Sequence, residues 1–225
     1  MGYIIVIEGS NGSGKQTQST KLYQKLKDDG VNVVKMSLPN YDSASSGPVK
    51  MYLSGELCNN AYELDAYQTS VLYAVDRLCT HQKELKEHYN NGGVIVFDRY
   101  VQSNMLHQAC KIKNLNERDK FLEWLDNFEF NLLKLPRPDK IIFLDVPPEK
   151  SNELASGRKE LKSGATKDIE EENFQHVVDS YNSGKYVAEK YNWNIVNCMN
   201  ENGMRDIEDI HKEIVKLVGS DFKKR

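Results

Sequence analysis

The 225-residue chain has only four cysteines, Cys58, Cys79, Cys110 and Cys198, and no two stand in C-x-x-C spacing. That excludes a disulfide scaffold and a zinc ribbon, and the thiols read as reduced and mostly buried. No apolar run approaches the ~20 residues of a membrane span, and no signal-peptide pattern opens the chain. The expectation is a cytoplasmic chain without a membrane partner. There is little net charge, −3, so no overall attraction draws the chain to nucleic acid. The five histidines show no metal-ligand spacing. No stretch rich in Pro, Gly or Ser separates two domains, and the D-x-x-G and N-K-x-D elements of a nucleotide switch are both missing.

What is present is a globular composition, 39% hydrophobic and 28% charged, long enough for one sizeable core. Short apolar runs at 3–8, 31–38, 93–98, 140–145 and 193–198 read as strands buried on both faces of a parallel sheet. Helical patterns fall between them, at about 15–28, 64–91, 101–112, 116–134, 170–191 and 206–218, with Gly30 and Gly92 at C-cap positions. This alternation predicts an α/β fold with a five-stranded parallel sheet and right-handed crossovers. One domain spans 1–219, with a basic, glycine-containing lid at about 157–169 and a tail at 220–225.

The first strand runs into "GSNGSGK", a phosphate-binding loop in the strand–loop–helix context that gives the pattern its meaning. Gly9, Gly12 and Gly14 let backbone N–H groups turn onto an anion, and the helix beginning at Lys15 adds its dipole and a full charge. The next residue is Gln16, where a Ser or Thr would normally ligate magnesium. A second candidate is Asp98-Arg99-Tyr100 at the end of the third strand, where ligands of open α/β sheets bind. There Asp98 can support a metal or act as a base, and Arg99 can clamp a phosphate; alternatively Asp98 is only a helix cap.

On helix 64–91, Leu64, Tyr67, Val71, Val75, Leu78, Gln82 and Leu85 form a nearly apolar stripe, read as the core face. Tyr73 and Arg77, one turn apart, lie almost opposite it. They either wall a pocket, the ring stacking on a base and the guanidinium donating to a carbonyl, or form an exposed cation–π pair, or pack against another subunit.

Together "GSNGSGKQTQ", "LPNY", "YAVDR", "DRYVQSNMLHQ", the basic lid and the closing helix resemble thymidylate kinases, of the P-loop nucleoside monophosphate kinase group. The resemblance implies the P-loop NTPase fold with a small mobile lid. It implies transfer of the γ-phosphate of ATP to dTMP with Mg²⁺, and a homodimer. Kinases for other nucleosides or monophosphates remain alternatives. It places ATP on Gly9, Ser10, Asn11, Gly12, Ser13, Gly14, Lys15, Gln16 and Thr17, and the metal at Asp98 and Gln16. Lys15, Asp98, Arg99 and Arg158 take catalytic roles. For dTMP, Arg99 and Tyr41 would hold the phosphate, and Tyr73 would stack on thymine where the family usually has Phe. Arg77 would donate to O4, Asn104 would meet the N3 edge, and His107 would crowd the 2′ position. Ser103 and Gln108 complete the motif. Three departures stand out: Asn11 replaces the acid that contacts the 3′-hydroxyl, Asn40 replaces an assisting Arg, and Gln16 replaces the usual hydroxyl.

Overall fold

Runs rich in Ile, Val and Phe give the five strands, and these line up in one parallel sheet. They are β1 (Tyr3–Gly9), β2 (Val33–Ser37), β3 (Val94–Asp98), β4 (Lys140–Asp145) and β5 (Asn194–Asn197). The order is β2-β3-β1-β4-β5, and all pairings are parallel. The computed structural model describes residues 1–156, 168–171 and 173–222. In β1 the period-two alternation divides the side chains between two cores. Ile4 and Val6 pack on one face with Phe97, Leu106 and Phe143, while Ile5 and Ile7 pack on the other with Leu22, Ile142 and Ile214.

Helices α1 (Lys15–Asp28), α2 (Gly47–Leu53) and α3 (Ala66–Thr80) come first. A π-helical turn (His81–Leu85) leads from α3 into α4 (Lys86–Asn90). Then follow α5 (Gln102–His107), α6 (Leu115–Asp126) with its own π-helical extension (Asn127–Leu132), α7 (Pro148–Ser156), α8 (Phe174–Lys190) and α9 (Ile207–Phe222). A short hairpin, β6 (Met199–Asn200) and β7 (Gly203–Met204), precedes α9. Gly30 and Gly92 have φ of 80° and 84°, as their C-cap positions require.

Three expectations need correcting. First, the helix predicted over 64–91 is interrupted by the π-turn, and only the ends of its apolar stripe face the core: Leu85 is buried and Leu64 and Leu78 pack against core clusters, but Tyr67, Val71 and Val75 are 39%, 40% and 42% exposed. The buried face of α3 is largely polar, with Thr69, Ser70, Asp76, Arg77 and Thr80 beside Ala66 and Ala74. Asp76 and Thr69 can be buried because they have partners: Asp76 accepts from the Asn40 backbone N–H (2.7 Å) and from Ser45 Oγ (2.6 Å), and Thr69 accepts from Lys111. Second, α8 begins at Phe174, capped by Asn173, rather than at 170. The thiols are mostly buried as expected, with Cys79 alone exposed among the four. Third, α9 continues through Phe222, because no proline or cap stops its amphipathic pattern at 219. Arg158 and the rest of 157–167 lie outside the described residues.

Candidate active site

The loop between β1 and α1 closes on its own lysine. Lys15 Nζ donates to the carbonyls of Gly9 (2.8 Å) and Ser10 (2.7 Å), and Ser13 N–H donates to Ser10 O (3.1 Å). Gly14 caps α1 with φ 89°, a left-handed conformation that side chains resist. At Gly12 a Cβ would lie 2.0 Å from the Ser151 carbonyl, so only glycine lets the loop pack beneath α7. The loop thus presents N–H groups and the α1 N-terminus to a cavity of about 920 Å³.

β3 lies beside β1 with Ile7 opposite Asp98, which brings the second candidate to the same cavity. Asp98 is buried at the strand end. Arg99 follows in a left-handed conformation, φ 70°, an unfavourable backbone for a non-glycine residue. Its guanidinium fans across the cavity. Nη1 donates to Ser103 Oγ (3.4 Å) and His107 Nε2 (3.1 Å), and Nη2 donates to Asn11 Oδ1.

Beneath these cations is Glu8, fully buried in β1 and not anticipated from the sequence. Its carboxylate accepts from Ser103 Oγ (2.7 Å), Tyr100 N–H (3.2 Å) and Gly9 N–H (3.3 Å). Burial raises its pKa, and Arg99 and Lys15 oppose that rise. Burial works against the charge of Arg99 as well, but Glu8 and Asp98 carry its pKa above the ordinary guanidinium value. A glutamate inside "IIVIEG" was the available signal, since a charge in a buried strand must have partners.

α3 forms another wall. Tyr73 reaches the cavity and meets Tyr52 edge-to-face at 6.3 Å. Arg77 also lines the cavity, yet it is not an exposed pair with Tyr73. It is buried against Glu129, donating through Nε (3.1 Å) and Nη2. Tyr41 lines the opening, and burial, then Asp168, raises its phenol pKa, keeping it a neutral donor. Asn40 spends its side chain on Glu84 (3.0 Å) and Thr80 (3.4 Å). Asn104 donates to Ser70 O (3.4 Å), and Gln108 donates to Glu170 (2.9 Å). Of the residues singled out in the sequence, Asn11 through Thr17, Tyr41, Tyr73, Arg77, Asp98, Arg99, Ser103, Asn104, His107 and Gln108 line this one cavity. Gly9 and Ser10 do not; their carbonyls face Lys15 instead.

Asp168, Glu170 and Glu171 form an acidic wall that the sequence reading did not identify. Burial, then Glu170 and Glu171, pushes the Asp168 carboxyl up to about 7. Glu170 also faces His107 and His176, and ligand-type atoms of the three residues lie within 4.8 Å of one another. Residues 69 positions apart carry no spacing signal for such a group. Because a guanidinium can only donate, His107 Nε2 accepts from Arg99, and its neutral ring carries the proton on Nδ1. Burial, then Arg99, lowers its pKa well below the ordinary value. The protonated Nδ1 is the atom nearest Glu170 (3.8 Å), so His107 presents no lone pair to an ion there.

Magnesium takes hard oxygen donors and keeps several waters. Asp98 fits that chemistry, with a carboxylate on the cavity beside the phosphate loop. Gln16 is exposed and lines the same cavity with a neutral amide oxygen. The residues present therefore suit a magnesium ion held mainly by phosphates and water.

Among the described residues no helix is long and apolar enough to cross a membrane. The family model for thymidylate kinase matches residues 7–214. A thymidylate kinase of Plasmodium falciparum is 30% identical over 96% of this chain and 90% of its own length. One from Caldicellulosiruptor saccharolyticus is 28% identical over 100% and 99%. A solved thymidylate kinase structure from Candida albicans superposes with a TM-score of 0.73 at 20% identity, covering 100% of this chain and 94% of that one. This likeness gives the same P-loop fold, and the match over nearly its whole length shows that the chain belongs to the thymidylate kinase family.

Proposed function

We infer that the chain transfers the γ-phosphate of ATP to dTMP, giving ADP and dTDP. The observation that carries this reading is a single cavity lined by both the phosphate loop and the Tyr73–Arg77 wall, with Arg99 on it as well. A dTMP phosphate oxygen attacks the γ-phosphorus in line, and the bond to the β-bridging oxygen breaks. Little covalent work falls to the protein, so catalysis is positioning plus charge stabilisation. Lys15 and the loop N–H groups hold the ATP phosphates, while Arg99 and Tyr41 hold the monophosphate. Asp98 and Gln16 would hold Mg²⁺ through their side-chain oxygens, and the ion would supply charge neutralisation to the phosphates. Arg158, outside the described residues, is the lid cation we assign to the transferring group. Tyr73 stacks on the base, Asn104 faces its N3 edge, and His107 stands by the sugar.

The same reading includes a homodimer in the cytoplasm. The support for the dimer is the outward stripe of Tyr67, Val71 and Val75 on α3, 39%, 40% and 42% exposed. The test of function is a coupled ADP-release assay with MgATP across dTMP, dUMP, dCMP, dGMP and thymidine. The highest kcat/KM belongs to dTMP; a higher value for a purine monophosphate or a free nucleoside would overturn the assignment.

A further inference from the structure

We propose that Glu129 is a positioning residue for base selection, fixing the guanidinium of Arg77 so that its Nη1 edge faces the base. This rests on the assignment of dTMP as acceptor.

Arg77 carries five N–H donors on a flexible stem, and left free it would point toward the nearest anion. Glu129 removes that freedom. It takes Nε at 3.1 Å and Nη2 as the second bond of a fork, in a pair whose side chains are 2% and 0% exposed. Among the described residues, neither bond of the guanidinium uses Nη1. Arg77 lines the cavity, whereas Glu129 lies behind it.

Glu129 is itself held firmly. It lies in the π-helical extension Asn127–Leu132, where its carbonyl accepts from Leu135 N–H (3.1 Å). Phe130 on one side enters the core, and Phe128 on the other stacks on Trp124 at 5.1 Å. Single π-turns of this kind commonly re-aim side chains at functional sites. Here the extra residue turns a carboxylate inward between two aromatics.

The chemistry follows from the fork. Glu129 cancels the charge of Arg77, so a neutral base meets a directed donor rather than a net cation. A fixed donor donates to a carbonyl oxygen such as that of thymine and confronts the amino group of cytosine donor to donor. Sites built around one hydrogen bond reject analogues lacking it strongly, provided that the site group cannot turn away.

The experiment measures kcat/KM for dTMP and dCMP in the wild type, Glu129→Gln, Arg77→Met and the double variant. Glu129→Gln should lower the dTMP:dCMP ratio by about 10-fold or more, through the KM of the monophosphate, with the KM of ATP within about twofold. In the Arg77→Met background the same substitution should leave the ratio unchanged. Should Glu129→Gln fail to fold, Glu129→Asp keeps the charge while withdrawing the fork, and should lower the ratio by about threefold or more. A folded Glu129 variant with the wild-type ratio overturns the proposal, as does a further loss on top of Arg77→Met. A wild-type enzyme with no preference for dTMP would instead overturn the functional assignment, and this proposal with it.

Discussion

Arg99 and Asn11 meet across the cavity, Nη2 of the guanidinium donating to the amide oxygen. This acceptor is neutral, so it orients the arginine toward a phosphate without adding to the negative charge of Glu8 and Asp98 beside it. Arg99→Lys keeps the charge against buried Glu8 but loses the planar fork. It should lower kcat/KM for dTMP by about 10²-fold while the fold persists. Steady-state kinetics together with circular dichroism check this, and near-normal turnover would remove Arg99 from the mechanism.

Tyr73 tests the base wall. Its ring faces the cavity against Tyr52. Losing a stacked ring costs about 1–3 kcal/mol, so Tyr73→Ala should raise the KM of dTMP by about 5- to 150-fold and leave that of ATP nearly unchanged. Equal rises in both constants would mean that Tyr73 only supports the fold.

Gln16 and Lys15 should separate sharply. Gln16 is exposed, whereas Lys15 is buried in the loop. Gln16→Ala should cost less than about tenfold in kcat/KM, since magnesium relies heavily on phosphates and water. Lys15→Ala should nearly abolish turnover. Activity titrated with Mg²⁺ distinguishes them, and comparable collapse in both would make Gln16 an essential ligand.

Asp168 gives a pH dependence of stability. Its carboxyl is raised from 3.8 to about 7, so the folded chain binds its proton more tightly than the unfolded chain does. The ionised form is therefore the costly one: stability falls as pH rises from about 4 through 7. Asp168→Asn should be nearly indistinguishable from wild type near pH 4 and more stable by about 4 kcal/mol at pH 8. Thermal melts across that range decide it, and a constant difference at all pH values would contradict the raised pKa.

The α3 stripe predicts assembly. Val71→Asp with Val75→Asp places charges on an outward face, so it should leave the monomer fold intact and convert a dimer to monomer in sedimentation. Dimers persisting in this variant would move the interface elsewhere.

All five strands could be read from the sequence, because runs such as "VIVF" admit few other interpretations. The phosphate loop was legible for the same reason: glycines and lysine at fixed spacing have one geometric use. α2 and α7 were not anticipated. Seven residues are too few for a helical period to emerge, and the Pro147-Pro148 pair that opens α7 resembles a break more than a start. α3 turns Tyr73 and Arg77 to the cavity as read, but Tyr67, Val71 and Val75 point outward, since apolar periodicity says which side is greasy but not what lies beside it. Asp76 and Arg77 could turn inward only because Asn40, Ser45 and Glu129, all distant in sequence, supply partners. Glu129 and Glu170 were missed because their significance comes from those distant contacts.

Lys15 is bonded to two carbonyls of the loop it serves. The residue that would grip a triphosphate therefore also acts as the strut that shapes the loop. The ordering cost of the loop falls on folding rather than on binding, so preorganisation is built into the chain. A substitution at Lys15 accordingly removes both a ligand contact and the scaffold that keeps neighbouring N–H groups converged.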